Sequence, residues 1–217
     1  KKEMKKMNLI LFVLSLLSLI GQFILLPQMP DTIPIHWNAA GEIDGYGSRY
    51  VSLMIAAVPL IITGLFVLIP RIDPRKQSYQ KHEKAYRIFC VFVVLLFIGL
   101  VWVTNAAAMG WPVSVGRIVP IAIGLLFLVL GNYMPQIRSN YTFGIKTPWT
   151  LESPYVWKKT HAMGAFVFCI YGIVMIAAGV TGFPWMMNVS FAVILAGAAG
   201  LFVYSWLVYR KENQKNS

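Results

Sequence analysis

Two stretches hold the residues that could do chemistry. In Pro27–Tyr50, His36 precedes Glu42 by six positions and Asp44 by eight, so an imidazole and two carboxylates could share a divalent cation. That spacing matches neither a calcium loop nor a zinc site, and a histidine hydrogen-bonded within its own loop fits it better. The second stretch, Asn132–His161, ends on His161 and contains one carboxylate, Glu152. No Ser-His-Asp or Cys-His set, carboxylate pair, Gly-rich phosphate cradle or His-Glu-x-x-His occurs there. Its chemistry is that of recognition. Phe143, Trp149 and Trp157 offer amphipathic surface, Arg138 and Lys146 offer cations, and Asn140, Thr147, Thr150 and His161 offer hydrogen-bonding groups. The same aromatics and cations could instead anchor the loop at headgroup level. The chain reads as a non-enzyme, with no metal and no cofactor implied.

The elements that position these stretches are membrane spans. Of 217 residues 58% are hydrophobic and 12% charged, and the mean hydropathy is +0.65; a soluble domain so composed would expose large apolar patches. Six apolar runs, Leu9–Leu26, Val51–Ile69, Ile88–Met109, Val115–Met134, Met163–Val180 and Met186–Tyr209, each approach the roughly 20 residues that cross about 30 Å as a helix. They are continuously apolar, which excludes the alternation of barrel strands. Lys1–Leu26 resembles a signal peptide in composition, but no small-x-small cleavage pattern follows, and it reads as a retained first helix. Cys90 and Cys169 fall within spans and in no metal spacing.

Orientation follows from charge. Of the 19 Lys and Arg, 17 lie in the N-terminal tail, the second connection, the fourth connection and the C-terminal tail, leaving Arg49 and Arg117 for the other side. The positive-inside rule puts both termini and the fourth connection in the cytoplasm. The net charge of +11 is thus topological, spread over four membrane-proximal segments rather than one nucleic-acid-sized stripe. The expected fold is an all-α integral membrane protein of six transmembrane helices, with a small ordered outer loop between helices 1 and 2. Residues 1–110 form an N-terminal membrane region bearing that loop, and 111–217 a second region bearing the cytoplasmic loop.

Local patterns add detail. Alternation of Ile33, Ile35 and Trp37 with Pro34, His36 and Asn38, followed by Asp44-Gly45, predicts a hairpin turning at Asp44-Gly45. Ser18, Gly21 and Gln22 make a polar stripe on helix 1, for packing or for transport. The connection RIDPRKQSYQKHEKAYR reads as a solvated cationic segment against anionic headgroups, with His82 unpartnered. Gly116, Pro120, Gly124, Leu128 and Asn132 form a close-approach flank on helix 4, and Ala192, Ala196 and Gly200 one on helix 6. Pro135 must end or kink helix 4 near Asn132–Met134 and free the Gly131 carbonyl. Ser153-Pro154 is an N-cap with proline at the first helical position, which places Trp157, Thr160, His161 and Gly164 on one helical face.

The ordered run Asn132-Tyr133-Met134-Pro135, Asn140, Phe143-Gly144-Ile145-Lys146-Thr147-Pro148-Trp149-Thr150-Leu151 and Val156-Trp157-Lys158-Lys159-Thr160-His161 resembles the signature of the SdpI family of multi-pass membrane immunity proteins. Pro34, His36, Trp37, Asn38, Gly41, Asp44 and Gly45 match the small domain of unknown function that often precedes it. The resemblance implies a bacterial cytoplasmic-membrane protein that protects against a secreted antimicrobial peptide toxin, with the fourth-loop residues and the outer-loop residues as contact or signalling positions. It also implies a second partner, a cytoplasmic transcriptional repressor held at the membrane when toxin is present. Direct nucleic-acid binding is not implied. Two positions depart from the family: Lys146 and Ala162 stand where members commonly carry Arg, and Lys lacks the fork that grips a carboxylate at two points. The alternative reading is a small multi-pass transporter or exporter of lipophilic or peptide cargo.

Overall fold

The computed structural model describes residues 2–216, and side chains through residue 214; Lys1 and the Lys215 side chain, counted above among the basic residues, lie outside it. Eight helices and one hairpin follow in order: α1 (Lys2–Leu25), β1 (Thr32–Trp37), β2 (Ile43–Ser48), α2 (Val51–Ile72), α3 (Ser78–Lys81), α4 (Glu83–Ala108), α5 (Val115–Tyr133), α6 (Pro148–Glu152), α7 (Pro154–Thr181) and α8 (Pro184–Asn216). Six of them are long and apolar enough to cross a membrane, the architecture of a multi-pass membrane protein. Phe12, Leu17, Phe166, Ile170 and Leu195 are among the many apolar side chains pointing outward, as a lipid solvent allows.

The helices pack as two triplets, α1–α2–α4 and α5–α7–α8, which meet along α4 and α5. In the first, the polar stripe of α1 turns inward. Ser15 bonds Thr63 at 3.3 Å, the Trp102 indole donates to Ser18 at 3.0 Å, and Gln22 donates to Ser52 at 2.8 Å while accepting from Asn105 at 2.6 Å. Buried polar groups that are fully paired in this way lock helix register. In the second, α5 and α7 touch backbone to backbone. A Cβ added at Gly124 would lie 2.6 Å from the Gly172 carbonyl oxygen, and one at Gly131 2.9 Å from that of Ala165.

Two expected packing faces are rotated from their predicted positions. Asn132 is exposed and Gly131 takes its place against α7. Each four-residue step overshoots a helical turn by about 40°, so a flank chosen at Gly116 has swung away by Asn132. On α8, Ala192, Ala196 and Gly200 face outward, and Gly197 makes the contact, with Val167.

At one end of the bundle the helices stop close to where the apolar runs stop; at the other they continue. α1, α4, α7 and α8 extend five to nine residues beyond their runs, roughly 8–13 Å of extra helix at 1.5 Å per residue. The second and fourth connections are held among these protruding ends, here called the basic end.

The hairpin occupies the opposite end. Ile33, fully buried, packs with Met29 and Ala108, and Arg49 donates to the Met29 carbonyl at 3.1 Å. The turn is not at Asp44-Gly45, as the sequence suggested, but at Asn38–Glu42. The Asn38 side-chain oxygen accepts from the Ala40 and Glu42 N–H groups, and Gly41 takes φ 81°. Gly45 lies in β2 opposite His36 at a register shift, where a Cβ would come within 2.9 Å of the His36 Cβ. Both sites carry turn residues, and the Asn38 Asx turn prevails. Gly41 in turn rests on Gly116 at the start of α5.

Candidate functional site

The basic-end site begins where α5 stops. Pro135 cannot donate to the Gly131 carbonyl, and the Met134 N–H bonds it instead, tightening the chain into a single 3-10 turn over Met134–Gln136. Asn140, fully buried, then organises the loop. Its side-chain oxygen accepts from the Thr142 and Phe143 N–H groups at 2.9 and 2.6 Å, and its amide donates to the Arg138 and Phe143 carbonyls, both at 2.8 Å.

The Ser153 hydroxyl caps α7, accepting from the Tyr155 and Val156 N–H groups, with Pro154 at the first position. The face this exposes to the loop is the expected one: Trp157, Thr160, His161 and Gly164 are all buried. Ile145 donates its N–H to His161 Nε2 at 3.0 Å, so the hydrogen sits on Nδ1, which donates to the Trp157 carbonyl at 2.8 Å. A neutral imidazole satisfies both bonds. The Trp157 ring stacks on it at 4.1 Å and gives its own N–H to the Ile137 carbonyl. Gly144, with φ 121°, leaves no room for a Cβ, which would fall 2.5 Å from His161 Nε2.

Beyond Lys146 the chain caps itself again. The Thr147 N–H donates to the Thr150 hydroxyl and the Thr150 N–H to the Thr147 hydroxyl, starting α6 at Pro148. This turn is tied to α8 by Thr147–Ser205 at 3.0 Å and by Trp149 against Phe202.

Sequence reasoning missed the other half of the site. The second connection is docked rather than solvated. The Asp73 carboxylate is buried and accepts from the Arg75 N–H (2.7 Å), the Tyr79 hydroxyl (3.1 Å), the Tyr141 N–H (3.1 Å) and the Thr142 hydroxyl (2.8 Å). The Arg75 guanidinium bonds the Ser139 hydroxyl and the Leu151 carbonyl and lies over the Tyr141 ring. His82, far from unpartnered, is buried and accepts the Arg138 N–H on Nδ1 at 3.1 Å. Phe143 inserts beside it, against Phe89 and Tyr86. Asp73-Pro74-Arg75 carried a readable signal, an aspartate accepting from the residue two positions on, but the surrounding charges hid it.

Burial sets the electrostatics. It penalises the charged form of Asp73, yet the hydrogen bonds from Thr142, Arg75, Tyr141 and Tyr79 prevail and hold its carboxyl below the usual value. Burial pushes Tyr79 up to about 12, and burial together with the nearby Arg138 charge pushes His82 down to about 4. This joint is therefore built around one anion and a neutral imidazole.

Of the sequence-predicted residues, Asn140, Thr147, Thr150, Trp157, Thr160 and His161 form the buried scaffold, with Phe143, Gly144 and Trp149 half-buried. Asn132, Pro135, Arg138, Lys146 and Pro148 are exposed. Lys146 closes the loop by donating to the Tyr141 and Thr142 carbonyls. The hairpin residues gather separately, one helix length away: Pro34 is buried, Trp37, Asn38, Gly41 and Gly45 are half-buried, and the His36 imidazole pairs with the exposed Asp44 carboxylate at 2.5 Å.

Comparisons with known proteins follow this division. Residues 136–205 match the SdpI/YfhL protein family, and residues 13–63 match a domain of unknown function, DUF1648. No solved structure matches the chain. The immunity protein SdpI of Bacillus subtilis (strain 168) is 23% identical over 208 residues, covering 96% of this chain and 98% of the relative. The loop signature from Asn140 to His161 falls within the segment that matches the SdpI/YfhL family, and similarity to the immunity protein runs nearly end to end.

Proposed function

We propose that this chain is a membrane immunity protein that protects a bacterium from a secreted antimicrobial peptide toxin. The observation that carries this reading is the near full-length similarity to an immunity protein. In this reading the chain lies in the cytoplasmic membrane with both termini and the basic end inside. The hairpin, acidic through Asp31, Glu42 and Asp44, faces the incoming peptide. The basic end, through Arg138, Lys146 and the loop around them, meets a cytoplasmic partner, a transcriptional repressor held at the membrane while toxin is present. Paired polar groups along α1 favour this over transport. Ser15, Ser18 and Gln22 are all bonded to neighbouring helices, and the break in α5 is closed by the Met134 N–H.

The test is survival. A toxin-sensitive bacterium producing this chain is expected to outlive its parent strain when challenged with a panel of secreted antimicrobial peptides. Equal killing by every peptide, at verified membrane abundance of the chain, would overturn the proposal.

A further inference from the structure

Where α1, α2, α3 and α4 converge at the basic end, the bundle leaves a cavity of about 290 Å³. Buried Tyr86 and half-buried Phe66 and Val67 give it an apolar lining, and the exposed Lys5 of α1, Arg71 of α2 and Lys76 of the α2–α3 turn line it as well. The opening has a local cause. Pro70 has no N–H for the Phe66 carbonyl, and the Tyr86 hydroxyl of α4 bonds that carbonyl instead, at 2.9 Å. That bond ties the end of α2 to α4, and Arg71, the last cation of α2, lines the gap.

None of the Lys5, Arg71 and Lys76 side chains has an ion-pair or hydrogen-bond partner among the described residues, and Glu83 is the one carboxylate lining the cavity. Other cations of the basic end are used internally, Arg75 on the fourth loop, Lys146 on two carbonyls and Arg87 on Glu3, while Arg138 and Lys158 are exposed away from this hollow. Three cations supplied by three segments and left free around one hollow are arranged for an external anion. The hollow lies at the ends of membrane-crossing helices, lined by both apolar side chains and cations, which is the profile of a phospholipid with an anionic headgroup.

We propose that this cavity is a binding site for an anionic phospholipid, its phosphate held by Lys5, Arg71 and Lys76 and its upper acyl segment against Phe66 and Val67. The proposal is independent of the immunity reading. Through Lys76, next to Arg75, an occupied site would brace the turn that docks the fourth loop.

The test uses the full chain in neutral detergent, with native mass spectrometry and thermal unfolding. Phosphatidylglycerol and phosphatidylcholine of identical acyl chains are compared as probes, and inorganic phosphate serves as the free anion. One phosphatidylglycerol is expected to be retained in preference to phosphatidylcholine, with affinity falling about fivefold for each cation removed in R71Q and R71Q/K76Q. R71K/K76R should retain it. K158Q/K159Q, which removes two exposed cations elsewhere on the same end, should leave it unchanged. Equal retention of both lipids, an equal loss in K158Q/K159Q, or the same stabilisation by millimolar inorganic phosphate would overturn the proposal.

Discussion

The two ends of the bundle are built by different means. The hairpin's polar contacts are with partners near in sequence, Asn38 with Ala40 and Glu42, His36 with Asp44, Arg49 with Asp31, and only close apolar packing of Ile33 and Gly41 seats it on Ala108 and Gly116. The basic end is closed by partners more than fifty residues apart: Asp73 with Thr142, Arg75 with Leu151, His82 with the Arg138 N–H. Distant closure couples α2, α4, α5 and α7, so a disturbance in the fourth loop must be felt by the first triplet.

If this contrast holds, the largest effect belongs to Gly144→Val. A side chain there meets both a left-handed φ and the His161 ring, and a loss of about 3 kcal/mol or more is expected in thermal or denaturant unfolding. Asp73→Ala comes next. It strips two hydroxyls and two N–H groups of their acceptor and should cost about 2–4 kcal/mol, while Asp73→Asn recovers part of the loss.

The pH dependence sharpens the comparison. His82 is held neutral, with its folded value lowered from 6.5 to about 4, so the unfolded chain takes up its proton first as pH falls. Its contribution is complete above about 6.5 and drains away as pH falls toward 4. The lowered Asp73 acts in a separate, more acid window: its contribution is complete above 3.8 and is lost as pH drops through its folded value. Melting temperature measured from pH 7 to 4.5 should fall, and His82→Gln, which offers an acceptor that does not titrate, should flatten the curve. The smallest change is expected from Asp44→Asn at the hairpin, where the pair is exposed and is worth under about 1 kcal/mol. A hairpin substitution that destabilised as much as Asp73→Ala would erase the distinction.

What the sequence revealed follows the same line. Six spans were legible from continuous apolar runs, the α7 start from Ser153-Pro154, and the buried face of Trp157, Thr160, His161 and Gly164 from helical period, because each signal is local. Ends were less legible: α7 begins nine residues before its apolar run because its first turns bury one face on the loop rather than in lipid. The Asp44-Gly45 turn was misplaced because a glycine required by a strand crossing looks the same as one required by a turn. The Asp73–Arg75–His82 half of the site was hidden because a pairing across sixty residues leaves no mark in either segment.

In the proposed reading the buried loop is scaffold and its exposed cations are what a partner meets. The direct measurement is toxin survival of a sensitive bacterium producing Arg138→Ala/Lys146→Ala at matched membrane abundance, alongside the melting temperature of the purified variant. The expected result is lost protection with melting lowered only by the loss of the two exposed hydrogen bonds of Lys146, since Arg138 holds His82 through its backbone N–H. Full protection by this variant would contradict the claim.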